Sequence, residues 1–235
     1  FGITTLESYG GFSRAEITAA GVLIDYVELT QKGKFPHLSP PRQLHLGSVM
    51  EMDAATRRNL ELTHTMNGER QGSLLHTIDL TVTGAGGRLL GRHLAMPLTD
   101  PAAISQRLDA IAFFIANNRL RDDTREFLRQ CADIERCLAR LSLDRGGPRD
   151  LAAIRDTLMQ TLQLHKLLNT NQSSTLLQKA LESLNIWGSH HPLVDQLQRA
   201  LAADLPALTR DGNFIAFGYS PKLDELKKLR DDSRN

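Results

Sequence analysis

Apolar residues recur along this chain at helical rather than strand spacing, and the clearest run lies between Arg121 and Leu143. At about 100° per residue, Phe127, Cys131, Ile134, Leu138 and Leu141 fall on one face. Arg125, Arg129, Arg136 and Arg140 fall on the opposite one. The pattern predicts one amphipathic helix over Arg121–Leu143, with a core-facing stripe and a solvent-facing stripe.

Start and stop signals predict the other elements. Ser13-Arg14-Ala15-Glu16 has the spacing of a capping box, so a helix is expected over Arg14–Thr30. The stretch from Gly33 to Gly47 carries Pro36, Pro40 and Pro41 and reads as an extended linker. Asp53 can cap a helix running through Leu62 and stopped near Gly68, and a second short helix is expected from Ser73. Asp100-Pro101 starts another, because proline at the first helical position loses no bond. Gly146-Gly147-Pro148 ends one helix and starts the next, which continues to about Leu168. Further helices are expected at about Thr175–Ile186 and Pro192–Leu205. Asp211-Gly212 reads as a turn into a short strand over Phe214–Gly218, and Ser220-Pro221 caps a last helix. The fold class that follows is mainly all-α, a helical bundle with a short strand or hairpin near its C-terminal end.

Charge narrows the function. The 28 basic and 27 acidic side chains leave a net charge of +1, whereas a domain that holds duplex DNA alone usually carries a clear basic excess. Strong autonomous DNA binding is therefore not expected. No apolar run approaches the roughly 20 residues needed to cross a bilayer, so a soluble chain is expected, with no membrane partner. Cys131 and Cys137 are six apart, about 9 Å along a helix axis, too far for a disulfide within it. Free core cysteines fit a reducing cytoplasm. Phe1 is not an initiator methionine and Arg234-Asn235 stand in a charged, helical-looking stretch, so the chain reads as a segment of a longer protein.

Catalytic chemistry finds little support. Gly84-Ala85-Gly86-Gly87-Arg88 invites a phosphate-cradle reading, but the lysine and hydroxyl of G-x-x-x-x-G-K-[ST] are missing, and close helix packing accounts better for the glycines. Arg125, Arg129 and Arg140 are candidates for weak phosphate contacts. Asp122 and Asp133 share their stripe, which favours a solvated, ion-paired face. The eight histidines form no full ligand set with Cys, Asp or Glu, so no metal site is expected. No serine, cysteine or carboxylate pair forms a nucleophile or acid-base constellation, and the chain itself is not expected to be an enzyme. Thr56 and Asn59, on the helix capped by Asp53, are read as polar anchors for adjacent backbone, and Leu60 and Leu62 as its buried leucines.

Four pieces occur in order between Met52 and Leu98: Met52-Asp53-Ala54-Ala55-Thr56-Arg57-Arg58-Asn59-Leu60-Glu61-Leu62, Gly72-Ser73-Leu74-Leu75, Thr81-Val82-Thr83-Gly84-Ala85-Gly86-Gly87-Arg88-Leu89-Leu90 and Met96-Pro97-Leu98. Together they resemble the start of the core, or lever, domain of the MutS family of DNA mismatch-repair proteins. Ala19-Ala20-Gly21, Tyr26 and Thr30-Gln31 upstream read the same way. So do Asp133-Ile134-Glu135-Arg136, Ala139-Arg140-Leu141, Pro148-Arg149-Asp150-Leu151, Arg210-Asp211-Gly212 and Gly218-Tyr219 downstream.

The resemblance implies residues 1–32 as the end of a connector domain, 33–48 as a linker and 49–235 as the first part of the core, with the clamp and returning lever helices absent. Its structural signature would be Asp53, Thr56, Asn59, Leu60, Glu61, Arg88, Pro97 and Arg136. The family implies ATP and Mg in the whole protein but no cofactor in this chain, where neither a Walker A nor a Phe-x-Glu segment occurs. It also implies mismatched duplex DNA, a second copy of the chain and the repair protein MutL as partners of the whole protein. The role implied is mechanical coupling between an ATPase domain and a DNA clamp. Two alternatives stand beside it: a helical scaffold for protein partners, which the composition and mixed charge fit equally well, and the lever of a MutS relative outside mismatch repair, which the resemblance also implies. In either case, leucines meant for absent helices would be exposed and favour self-association.

Overall fold

The computed structural model describes residues 11–31, 38, 39, 41, 49–169, 174–185 and 187–232, the side chains of 187–189 excepted. Most of the expected proline-rich linker therefore lies outside the described residues. Among the described residues eleven α-helices follow one another: α1 (Arg14–Thr30), α2 (Ala54–Asn59), α3 (Leu74–Ile78), α4 (Gly84–Ala95), α5 (Pro101–Ala116), α6 (Asn118–Arg129), α7 (Ile134–Ser142), α8 (Pro148–Leu168), α9 (Thr175–Leu184), α10 (Trp187–Ala200) and α11 (Pro221–Asp232). The chain is mainly helical, as its periodicity predicts.

The caps explain where most helices begin. Ser13 Oγ accepts from the Glu16 amide and the Glu16 carboxylate accepts from the Ser13 amide, which closes the expected box at α1. Ser73 and Thr83 cap α3 and α4 through their hydroxyls. Both Asp100 oxygens accept amides at the start of α5, with Pro101 in its first turn. Gly147 and Pro148 open α8, which ends at Leu168 as expected.

Four elements depart from the sequence reading, each where a group distant in the chain competes for backbone hydrogen bonds. α2 stops at Asn59 rather than Leu62. Glu61 turns into the left-handed region at φ 46°, and the Glu61 and Leu62 carbonyls accept from the Leu74 and Leu75 amides at 3.0 and 2.9 Å. Those amides are the free donors of the first turn of α3, so the interrupted helix satisfies the next one. The predicted Arg121–Leu143 helix is two helices, α6 and α7, broken at Gln130–Asp133. There the Ala132 amide donates to Thr157 Oγ1 of α8 at 2.8 Å, and Asp133 caps α7. α10 begins at Trp187, holds Pro192 in its interior and ends at Ala200, short of Leu205. In place of the expected strand near Phe214 there is one isolated bridge, Leu201 with Ile215. Its hydrogen bonds run from the Ala202 amide to the Phe214 carbonyl (2.9 Å) and from the Ala216 amide to the Ala200 carbonyl (2.8 Å), so the end of α10 is spent on this pairing.

The chain divides into two compact units, Phe1–Arg125 with Gln172–Leu177, and Glu126–Asn171 with Gln178–Asn235. In the first, α3 packs on α4, and the Met50 amide donates to the Pro97 carbonyl beside the Val49 and Leu98 bridge. The second is built on α8, flanked by α7 and α10. Cys137, Ile154, Leu158 and Val194 form one buried cluster, with Ile134, Leu141 and Ala153 against it. Ala152, Leu197 and Leu201 form a second, covered by Leu151 and Leu205. Burial of these side chains supplies the main stabilising term of that unit.

Candidate functional site

The residues expected to matter are distributed over three structural joints rather than gathered around one cleft. The first is the turn from α2 to α3. Asp53 Oδ1 accepts from the Thr56 amide at 2.6 Å. The backbone and hydroxyl of Thr56, in that order, hold the Asp53 carboxyl below its usual range. Glu61 Oε1 accepts from the Met66 amide at 2.6 Å, and this closes the loop that follows. Leu60 is the exposed C-cap of α2 rather than a buried leucine. Asn59 ends α2 with its side chain exposed and outside these contacts. Arg57 and Arg58 each donate through Nη2 to a backbone carbonyl, Met52 at 3.1 Å and Met66 at 3.5 Å.

The second joint precedes α4. Asp79 accepts from the hydroxyl of Thr81 at 2.6 Å and from its amide at 3.1 Å, and pairs with Arg70. These contacts hold the Asp79 carboxyl low, with the Thr81 hydroxyl the largest cause. The glycine run is used here. A Cβ on Gly86 would meet Thr83 Oγ1 at 2.9 Å, and one on Gly87 would meet Thr81 Oγ1 at 3.3 Å. The glycines therefore admit the capping loop itself, not a neighbouring helix, and the Gly86 amide is already given to Thr83. The residues present do not fit a nucleotide phosphate. Arg88 is half-buried on α4, and Arg125 Nη1 donates to the Leu80 carbonyl at 2.9 Å.

The third joint binds α7 to α8, and the same unit holds α11 to the 215–218 segment. Arg140 on α7 pairs with Asp150 in the first turn of α8, and Asp150 Oδ2 also accepts from the Gly147 amide at 3.0 Å. The Arg140 hydrogen bond, ahead of all other causes, holds the Asp150 carboxyl down. Burial raises the Cys137 thiol beneath this pair, and the same cause raises Cys131, so both stay protonated and unreactive at neutral pH. Both are free. Arg129 pairs with Glu126, and Arg136 with Asp133 at 3.5 Å. Two of the three arginines considered for phosphate contacts, Arg129 and Arg140, are thus engaged with carboxylates, and Arg125 with a carbonyl.

At the root of α11 the buried carboxylate of Asp224 accepts from the Gly218 amide at 2.8 Å. Lys227 Nζ donates to the Ile215 carbonyl at 3.1 Å. These contacts tie the first two turns of α11 to the 215–218 segment, which the Leu201 and Ile215 bridge pairs with the chain leaving α10. Sequence reasoning gave no role to Thr157 or Asp224 and took Asp150 only as part of the Pro148-Arg149-Asp150-Leu151 resemblance. Asp150 and Asp224 both carried a local signal, an acidic residue in a helix's first turn two or three places after a proline, and Thr157 carried none. Among the described residues no three His, Cys, Asp or Glu side chains gather where they could hold a metal ion. Likewise none of the described helices is long and apolar enough to cross a membrane.

A family model described as MutS domain III matches residues 55–234. The chain is 48% identical over its whole length to the DNA mismatch repair protein MutS of Roseobacter denitrificans, covering 26% of that protein. It is 48% identical to the protein of the same name from Nitrobacter winogradskyi, again covering 26%. Against that from Rhodopseudomonas palustris strain BisB5 the identity is 49% and the coverage 25%. The chain spans about a quarter of the length of the curated relatives it matches.

Proposed function

We infer a role from one fact: this chain belongs to the MutS family, as a segment carrying its domain III. We propose that it is the lever of a DNA mismatch-repair ATPase and passes motion between a distant ATPase domain and a DNA clamp. The observation that carries this reading is the staple at the root of α11. The Asp224 carboxylate and the Lys227 ammonium tie α11 to the 215–218 segment. The Leu201 and Ile215 bridge pairs that segment with the chain leaving α10, so the proposed motion of α11 is passed on through this segment. Packed cores of this kind switch between discrete arrangements rather than bending continuously.

On this reading the chain contributes no catalytic group. ATP and Mg belong to other parts of the whole protein, in keeping with a glycine run whose amides serve a helix cap. Mismatched duplex DNA, a second copy of the chain and MutL are partners of the whole protein, which acts in the cytoplasm. Residues 1–32 would close the connector, 33–48 link it, and 49–235 open the core.

A domain exchange tests the proposal. Residues 49–235 replace the matching segment of the Roseobacter denitrificans protein, and the chimera is expressed in a strain lacking its own MutS. The expected result is a mutation frequency restored to near the wild-type level. A folded, normally expressed chimera that left the strain a mutator would contradict it and favour a relative working outside mismatch repair.

A further inference from the structure

We propose that the groove between α2 and the loop after it is a binding site for a phosphate-class oxyanion, a role that the mechanical reading neither requires nor supplies. The groove has a volume of about 490 Å³ and is lined by residues including Arg57, Arg58, Thr63, His64, Asn67 and Gly68. Two guanidiniums, an imidazole, the hydroxyls of Thr63 and Thr65 and a carboxamide thus surround one space, and no carboxylate is among its lining residues. The acid at the start of the loop, Glu61, has its Oε1 turned to the Met66 amide.

The donors are in excess. Each guanidinium carries five N–H groups. Arg57 and Arg58 each spend an Nη2 donor on one carbonyl, which fixes them at the groove without exhausting them. His64 Nδ1 meets Thr63 Oγ1 at 3.1 Å, and its second ring nitrogen remains for a ligand. Adjacent fixed cations with spare donors are a charge arrangement that an anion relieves, and guanidinium forks match phosphate geometry. Another groove, lined by Arg140, Arg145 and Arg210, also contains Asp144 and Asp150. It is largely self-neutralised, so the same argument does not carry there.

The groove is open and larger than one phosphate ion, so it admits a phosphate carried on a larger molecule as well as a free one. Two sources share the chemistry, the backbone of duplex DNA and a phosphate monoester. The test uses the full 235-residue chain, isotopically labelled, and follows backbone amide shifts on adding inorganic phosphate, a 12-base-pair DNA duplex, or chloride at matched ionic strength. Saturable shifts at Thr63–Gly68 with phosphate but not chloride are expected. Binding should weaken about tenfold or more in an Arg57→Gln, Arg58→Gln double variant. A His64→Gln variant, which leaves both arginine anchors in place, should weaken it less.

Duplex shifts at the same amides that fade with added salt would identify backbone phosphate as the source. A response to phosphate with no response to duplex would identify a monoester. Equal shifts with chloride would overturn the proposal. So would unchanged phosphate binding in a double variant whose thermal unfolding matches that of the unsubstituted chain.

Discussion

Thr157 Oγ1 on α8 accepts the backbone amide of Ala132 at 2.8 Å, across the break between α6 and α7. The contact gives an interrupted helix a partner for one of the donors the interruption frees. It also ties α7 in register on α8 above the buried Cys137, Ile154, Leu158 and Val194.

Thr157→Val keeps the side-chain shape and removes the acceptor, leaving the Ala132 amide unsatisfied beside a buried site. The expected loss is about 1 to 3 kcal/mol of unfolding free energy, with Thr157→Ser close to the original. Urea unfolding of the three chains decides it. A valine variant as stable as the threonine chain would show that the break does not depend on this bond.

Acid should weaken the joint of α7 and α8. Arg140 holds the Asp150 carboxyl below the usual carboxylate range. A depressed folded-state pKa gives stability that is fully present above the unfolded value and lost as pH falls through the folded one. Stability should therefore drop between about pH 5 and pH 2, and drop less steeply in Asp150→Asn, which titrates no proton there. Denaturant midpoints across that range are the measurement. Parallel profiles for the two chains would mean that the pair does not couple to folding.

Ile104, Leu108, Ile111 and Ile115 lie along one face of α5, and all four are exposed. A contiguous apolar stripe of this kind drives association when nothing covers it. The isolated chain is expected to self-associate with rising concentration, and Leu108→Glu with Ile111→Glu should reduce it. Light scattering that found a monodisperse monomer over a hundredfold concentration range would count against this expectation.

Local chemistry made much of the fold legible. Ser13 with Glu16, and Asp100 by itself, mark helix starts because their side chains satisfy free amides within three residues. Gly147-Pro148 does so because proline at the first helical position has no amide to satisfy and Asp150 accepts the Gly147 amide; all are signals written in adjacent letters. The misreadings share the opposite cause. The break at Ala132 depends on a threonine 25 positions away, and α2 ends early because Glu61 and Leu62 serve amides of α3. α10 stops because its last carbonyl meets Ala216. The candidate site behaves likewise. Asp53 and Glu61 were readable as a signature, but the groove beside them exists only once the loop closes through Met66. Asp224 acquires its role only when Gly218 turns back toward it.

The lever account is tested most directly in the full-length protein, by stopped-flow measurement of ATP-triggered release from a mismatched duplex. The variant carries Asp224→Ala and Lys227→Ala, which removes both side-chain ties at the root of α11. The account predicts unchanged mismatch affinity and ATP hydrolysis with release slowed about fivefold or more, the scale of a typical coupling energy. Release at the original rate from a folded variant would show that motion does not pass through this joint.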